Sequence, residues 1–178
     1  MGVWCLAMSE NTADLSAKFS PEEWNLIESA PFLAGLSVAL SDLRQGLFGA
    51  IKESLVPFEA ITEAGTAASN QVVASLVVSF KEMAAKHERL QSPISMAGKK
   101  PEEVKAEVAA QLAKIPAILE GKVPPDQAEG YKKWLLEIAV KVANAATEGG
   151  FFGFGGERVS AAETAAINEL ASSLGVKP

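Results

Sequence analysis

Two of the residue types that carry most side-chain chemistry are nearly missing from this chain. Its 178 residues include one histidine, His87, and one cysteine, Cys5. A single cysteine cannot form an intramolecular disulfide, so nothing indicates an oxidising compartment. Ser-His-Asp and Cys-His catalysis both need a histidine that accepts the proton of the nucleophile. Since His87 lies in the polar stretch AAKHERL, we expect it on a helix surface and predict no catalytic residue.

Ligands for metal ions are equally scarce. A zinc site needs several Cys or His side chains, and a calcium loop needs Asp or Asn at alternate positions. The chain has only three aspartates, Asp14, Asp42 and Asp126, which are far apart in sequence. We therefore predict no metal site and no cofactor. Carboxylate chemistry would require glutamates that converge in a pocket, and the candidates are Glu148, Glu157 and Glu163.

Positive charge and long hydrophobic runs are also limited. The 16 Lys and Arg residues are outnumbered by 22 Asp and Glu residues, which gives a net charge of −6. Nucleic-acid binding needs clustered positive charge, so we predict no nucleic-acid partner. The longest apolar run, VVASLVVSF at 72–80, is much shorter than the ~20 residues that cross a bilayer. We expect a soluble cytoplasmic protein.

Helical patterns dominate what the sequence does contain. FSPEEW indicates a helix that begins after Ser20 with Pro21 in its first turn, and Pro31 either kinks this helix or begins a second one. SNQVVASLVVSFKEMAAKHERL has a broad apolar face and is the strongest long helix. PEEVKAEVAAQLAKIPAILEG predicts a helix that Pro116 kinks.

The C-terminal part continues this pattern. Apolar residues around Trp134 recur at helical spacing, and a last helix begins at Ser160, with Glu163 completing a capping box, and ends at Gly175. No segment alternates with a period of two residues. We predict an all-α fold, a compact bundle of about six to seven helices. Residues 1–18 are expected to form a mobile N-terminal tail, and residues 19–178 a single helical domain.

Residues 149–156 consist of five glycines and three phenylalanines. A dinucleotide-binding glycine loop follows a strand, whereas a predicted helix precedes this segment, so nucleotide binding is disfavoured. GLFGAI at 46–51 has a similar combination of glycine and phenylalanine. The phenylalanines either fill the core or contact a homodimer or protein partner, and the candidate interaction residues are Phe48, Phe151, Phe152 and Phe154. The alternative is a peripheral membrane-surface protein that uses the Gly-Phe corners at 46–51 and 149–156.

The two corners belong to a weak internal repeat. LSVALSDLRQGLFG (36–49) aligns without gaps on VKVANAATEGGFFG (140–153), which suggests two pseudo-repeated helix-corner-helix units. In addition, LEIAVKVANAATEGG and RVSAAETAAINELASSLGVKP, within 135–178, resemble the C-terminal half of the tellurite-resistance TerB-like family. Those proteins are compact all-helical bacterial domains with two pseudo-repeated helix pairs.

The resemblance implies a helical architecture but not the metal binding found in that family. Glu148 stands where the family has Asp, and residues 150–158 form an insertion of glycine and aromatic residues. Of the family's acidic corner residues, only Asp42 remains in the first corner, at 36–49. The predicted function is therefore a non-enzymatic helical interaction or regulatory module, similar to TerB-like domains but without an intact metal site.

Overall fold

The fold is all-α, as predicted. The computed structural model describes residues 15–41, 63, 70–148 and 159–177. Within these ranges there is no strand, and five helices have twelve residues or more, slightly fewer than the six to seven predicted. The elements are a 3-10 turn at Leu15–Lys18, α1 (Pro21–Ala39), α2 (Gln71–Lys86), α3 (Pro101–Leu112), the short α4 (Ile115–Leu119), α5 (Pro125–Glu148) and α6 (Ala161–Leu174).

Helix α1 lies at the centre of the bundle. It contacts α3, α4, α5 and α6, and its largest interface is with α5. Helix α2 packs on α5 and on the 3-10 turn. A helix that is apolar all round belongs in a core, and α1 is buried on several faces at once. Its buried residues are Leu26, Ile27, Glu28, Ser29, Ala30, Pro31, Leu33, Ala34, Gly35 and Val38.

Pro31 lies inside α1 without ending the helix. The prediction left open whether Pro31 kinks this helix or begins another, and the structure shows one helix that continues to Ala39. Proline has no N–H, so it cannot donate to the carbonyl of Ile27, four residues earlier. The buried hydroxyl of Tyr131 on α5 donates to that carbonyl instead, at 2.7 Å.

The predicted helix ends are largely confirmed. Ser20 and Ser160 both form capping boxes, and α6 is terminated by Gly175 with φ of 67°. Pro116 has a stronger effect than a kink, because α3 ends at Leu112 and a separate short helix follows. Helix α2 ends earlier than its pattern suggested, at Lys86.

The packed part of the chain begins before the predicted boundary at residue 19. Leu15 is 3% exposed and belongs to the main hydrophobic core. Its 3-10 turn packs on α2. The last four residues of the predicted tail, Leu15–Lys18, are therefore part of the folded domain.

Candidate functional site

The aromatic residues chosen from the sequence lie outside the described part of the chain. This applies to Phe48, Phe151, Phe152 and Phe154, and to the corners at 46–51 and 149–156. Their role as interaction residues, the homodimer and the membrane-surface alternative therefore stay predictions. No helix among the described residues has the length and apolar character needed to cross a bilayer.

The glutamates named as candidates for carboxylate chemistry are not brought together in what the structure describes. Glu163 is buried, and its carboxylate accepts a hydrogen bond from the backbone N–H of Ser160 at 2.8 Å. That contact gives Glu163 a structural role at the start of α6. The side chain of Glu148 and all of Glu157 lie outside the described ranges.

The histidine and the acidic groups form no metal centre in the described residues. His87 is exposed, terminates α2 and adopts a left-handed conformation with φ of 55°. In the ranges that the structure covers, no three His, Cys, Asp or Glu side chains lie close enough together to hold a metal ion.

A groove between α1 and α2 lies within the described part of the chain. Its volume is about 430 Å³. We call it the Glu28 groove, because Glu28 is its most buried charged residue. Trp24 and Glu28 line it from α1, and the exposed Val78 and half-buried Met83 line it from α2. The apolar and charged side chains therefore face the same space.

Glu28 accepts a hydrogen bond from a neutral donor on α2. It is 7% exposed. The hydroxyl of Ser79 on α2 donates a short hydrogen bond to its Oε1 atom. Burial raises the pKa of Glu28, and the polar groups of Ser79 and Trp24 oppose part of this rise. No cation in the described part of the chain pairs with this carboxyl group.

The negative charge of the groove extends to its rim. Glu82 and Glu88 line it together with the cation Lys86. The Nζ atom of Lys86 lies 3.8 Å from Oε2 of Glu82, and both side chains are largely exposed. An exposed pair of this kind contributes little to stability. Among the described residues that line the groove, carboxyl groups therefore outnumber ammonium groups.

Glu23, which precedes Glu28 on α1, is a second carboxylate close to an aromatic ring. Glu23 forms an ion pair with Lys122, whose Nζ lies 5.3 Å from the centre of the Phe19 ring. The hydrogen bond from Lys122 lowers the pKa of Glu23. The centroids of the Phe19 and Trp24 rings are 5.5 Å apart, so the Glu23–Lys122 pair lies next to the Glu28 groove.

Tyr131, a fully buried residue of α5, contacts α1 next to Glu28. The Tyr131 hydroxyl bonds to Ile27, the residue before Glu28. Burial, together with the negative charge of Glu28, raises the pKa of Tyr131 well above 10.0. Tyr131 therefore stays a neutral hydrogen-bond donor at physiological pH.

Sequence reasoning missed the Glu28 groove, although one signal was present. Glu28 stands in LIESAPFLAGLSVAL, a stretch with apolar residues on every side of the predicted helix. A helix without a polar face is buried, so a carboxyl group within it must also be buried. Such a residue is a candidate for a functional site.

No protein-family model matches the chain, and searches of curated proteins and of solved structures find no match either. The TerB-like resemblance is therefore neither supported nor excluded. The interpretation of the site depends on its own geometry.

Proposed function

We propose that this protein is a non-enzymatic helical interaction module whose Glu28 groove binds a segment of a partner protein. The observation that carries this function is the groove itself, which combines the exposed Val78 and the half-buried Trp24 and Met83 with a buried carboxyl group. Apolar anchors surrounded by polar groups are typical of protein-binding surfaces.

Two side-chain contacts join the helices that form the groove. Trp24 and Glu28 belong to the central helix α1, and the Ser79–Glu28 hydrogen bond joins α1 to α2 across 51 residues of sequence. Phe32 and Phe80 make an edge-to-face ring contact between the same two helices, with centroids 6.0 Å apart. Because both walls are helices, the partner segment does not have to order them on binding, which favours affinity.

Charge favours a different protein over a second copy of this chain as the occupant. The chain has a net charge of −6, and carboxyl groups predominate in the groove. A second copy would bring like charge to this surface, whereas a basic segment of another protein would be attracted.

Peptide selection on the intact chain tests this function. A random-peptide phage library is selected on the immobilised protein, and the enriched peptides are measured against Val78→Asn and Val140→Asn. Both valines are exposed, at 45% and 37%, but only Val78 lines the groove. Neither substitution changes the charge, so the comparison reports docking alone.

We expect Val78→Asn to weaken peptide binding by about fivefold or more, corresponding to about 1 kcal/mol of lost apolar contact. Val140→Asn should leave the affinity unchanged. Failure to enrich any peptide, or equal binding to both variants, would rule out docking in the groove.

A further inference from the structure

We propose that the Glu28 groove is a binding site for an arginine side chain of the partner, with Glu28 as its counter-ion and Trp24 as its stacking surface. This inference rests on the proposed function, since the arginine is supplied by the docked segment. It adds the chemical group that the groove recognises.

The first argument is the state of Glu28. A buried carboxylate is costly unless a cation or several hydrogen bonds compensate it. Ser79 donates one hydrogen bond to Glu28, whereas a carboxylate has about four acceptor positions. A guanidinium group has five N–H donors in a planar fork and can satisfy the positions that remain.

The second argument is a comparison within the same helix. At Glu23 the chain combines a carboxylate, an aromatic ring and its own cation, since Lys122 pairs with Glu23 and lies over Phe19. At Glu28 the carboxylate and the aromatic ring of Trp24 are present, but the cation that lines the groove, Lys86, pairs with Glu82 at the rim and not with Glu28. An external cation would complete the same arrangement.

The remaining lining fits the rest of an arginine side chain. Val78 and Met83 offer apolar surface to its methylene groups, and the indole of Trp24 is the aromatic surface on which guanidinium groups stack best. The volume of about 430 Å³ falls in the range of small-ligand sites, about 300–1,000 Å³. Glu82 and Glu88 at the rim add attraction for a cation.

NMR titration of the full chain tests the inference. The probe is Nα-acetyl-arginine amide, whose only charge is on its side chain, and the control is Nα-acetyl-citrulline amide, which has nearly the same shape but is neutral. The readout is the indole N–H resonance of Trp24, assigned with Trp24→Phe. A probe this small is expected to bind with a dissociation constant of about 1 mM.

Arginine amide should shift the Trp24 resonance in a saturable manner, and citrulline amide should not. Glu28→Gln, which keeps the size of the side chain, should weaken binding by about tenfold or more. Glu82→Gln on the exposed rim should weaken it less, and it keeps the test valid if Glu28→Gln disturbs folding. Glu137→Gln, on an exposed position of α5, should have no effect.

Equal shifts from arginine and citrulline amides, or no saturable shift with arginine amide, would overturn the inference. If selected peptides bind in the groove but arginine amide does not, peptide docking stands and arginine recognition is wrong. If arginine amide binds and no peptide is enriched, the cation site stands and the docking function is wrong.

Discussion

The hydroxyl of Tyr131 occupies the place of a backbone donor that Pro31 removes from α1. It lies 2.7 Å from the carbonyl oxygen of Ile27, the atom to which the residue at position 31 would donate if it were not proline. Both groups are buried, so water cannot replace the hydroxyl. A side chain 104 residues away thus allows a proline inside the central helix.

We expect Tyr131→Phe to lower the free energy of unfolding by about 1–3 kcal/mol, because the Ile27 carbonyl would be left buried without a donor. In a Pro31→Ala background the same change should cost less, because the new alanine supplies the missing backbone N–H. Urea unfolding of the four proteins in this double-mutant cycle measures the difference. An identical cost in both backgrounds would show that the proline and the tyrosine are independent.

Glu28 should make stability depend on pH. Burial raises its pKa above the ordinary value of 4.5, so the folded protein binds this proton more tightly than the unfolded chain does. The resulting stabilisation is fully present below pH 4.5 and is lost as the pH rises through the folded-state pKa. Glu28→Gln removes this contribution. We therefore expect its free energy of unfolding, relative to wild type, to increase with pH across that window and then level off.

The matched control for this pH series is Glu137→Gln, which changes an exposed carboxyl group on α5. Measuring each variant against wild type cancels the contributions of other groups, such as Glu23, whose pKa shifts downward. A difference in unfolding free energy between Glu28→Gln and wild type that stays constant from about pH 4 to about pH 8 would contradict the pH dependence. This range extends from about half a unit below the ordinary carboxyl pKa to several units above it.

The parts of the fold that sequence reasoning predicted are those determined by neighbouring residues. A serine followed three positions later by glutamate forms a capping box with its own backbone, so the starts of α1 and α6 at Ser20 and Ser160 were readable. Gly175 ends α6 because glycine adopts the left-handed conformation without strain. The all-α class follows from many such local signals together.

The candidate site depended on contacts between distant residues and was therefore missed. Ser79 and Glu28 are 51 positions apart, and nothing local in either segment indicates the other. The pairing requires α1 and α2 to be neighbours in the folded protein. The sequence also favoured the phenylalanines at 151–154 as interaction residues, whereas the aromatic residue that lines the groove in the described part of the chain is Trp24.

The N-cap of α6 offers a test of the local prediction. The Ser160 hydroxyl accepts a hydrogen bond from the backbone N–H of Glu163 at 3.2 Å. Ser160→Ala should lower the free energy of unfolding by about 1 kcal/mol. The control is Ser172→Ala in the same helix, where the exposed hydroxyl donates to the carbonyl of Asn168; we expect a change within about 0.5 kcal/mol. Equal effects in thermal or urea unfolding would show that the cap does not stabilise α6.

The last prediction concerns the contact that fixes the start of α2 on α5. Asn70 caps α2 by accepting from the N–H groups of Val72 and Val73, while its Nδ2 atom donates to the carbonyl of Gln127 at 2.8 Å. A Cβ atom on Gly130 would lie only 2.7 Å from that Nδ2. Because Gly130 has no side chain, the Asn70 side chain has room to make these hydrogen bonds.

Gly130→Ala has two opposing effects that a double-mutant cycle separates. Alanine favours the interior of a helix over glycine by about 1 kcal/mol, but its methyl group would displace Asn70 and weaken a cap that contributes about 1 kcal/mol. In an Asn70→Ala background only the first effect remains, so Gly130→Ala should stabilise the protein there. We expect it to be more favourable by about 1 kcal/mol in that background than in wild type, as measured by urea unfolding. The same effect in both backgrounds would mean that α2 adjusts to the methyl group without losing its cap.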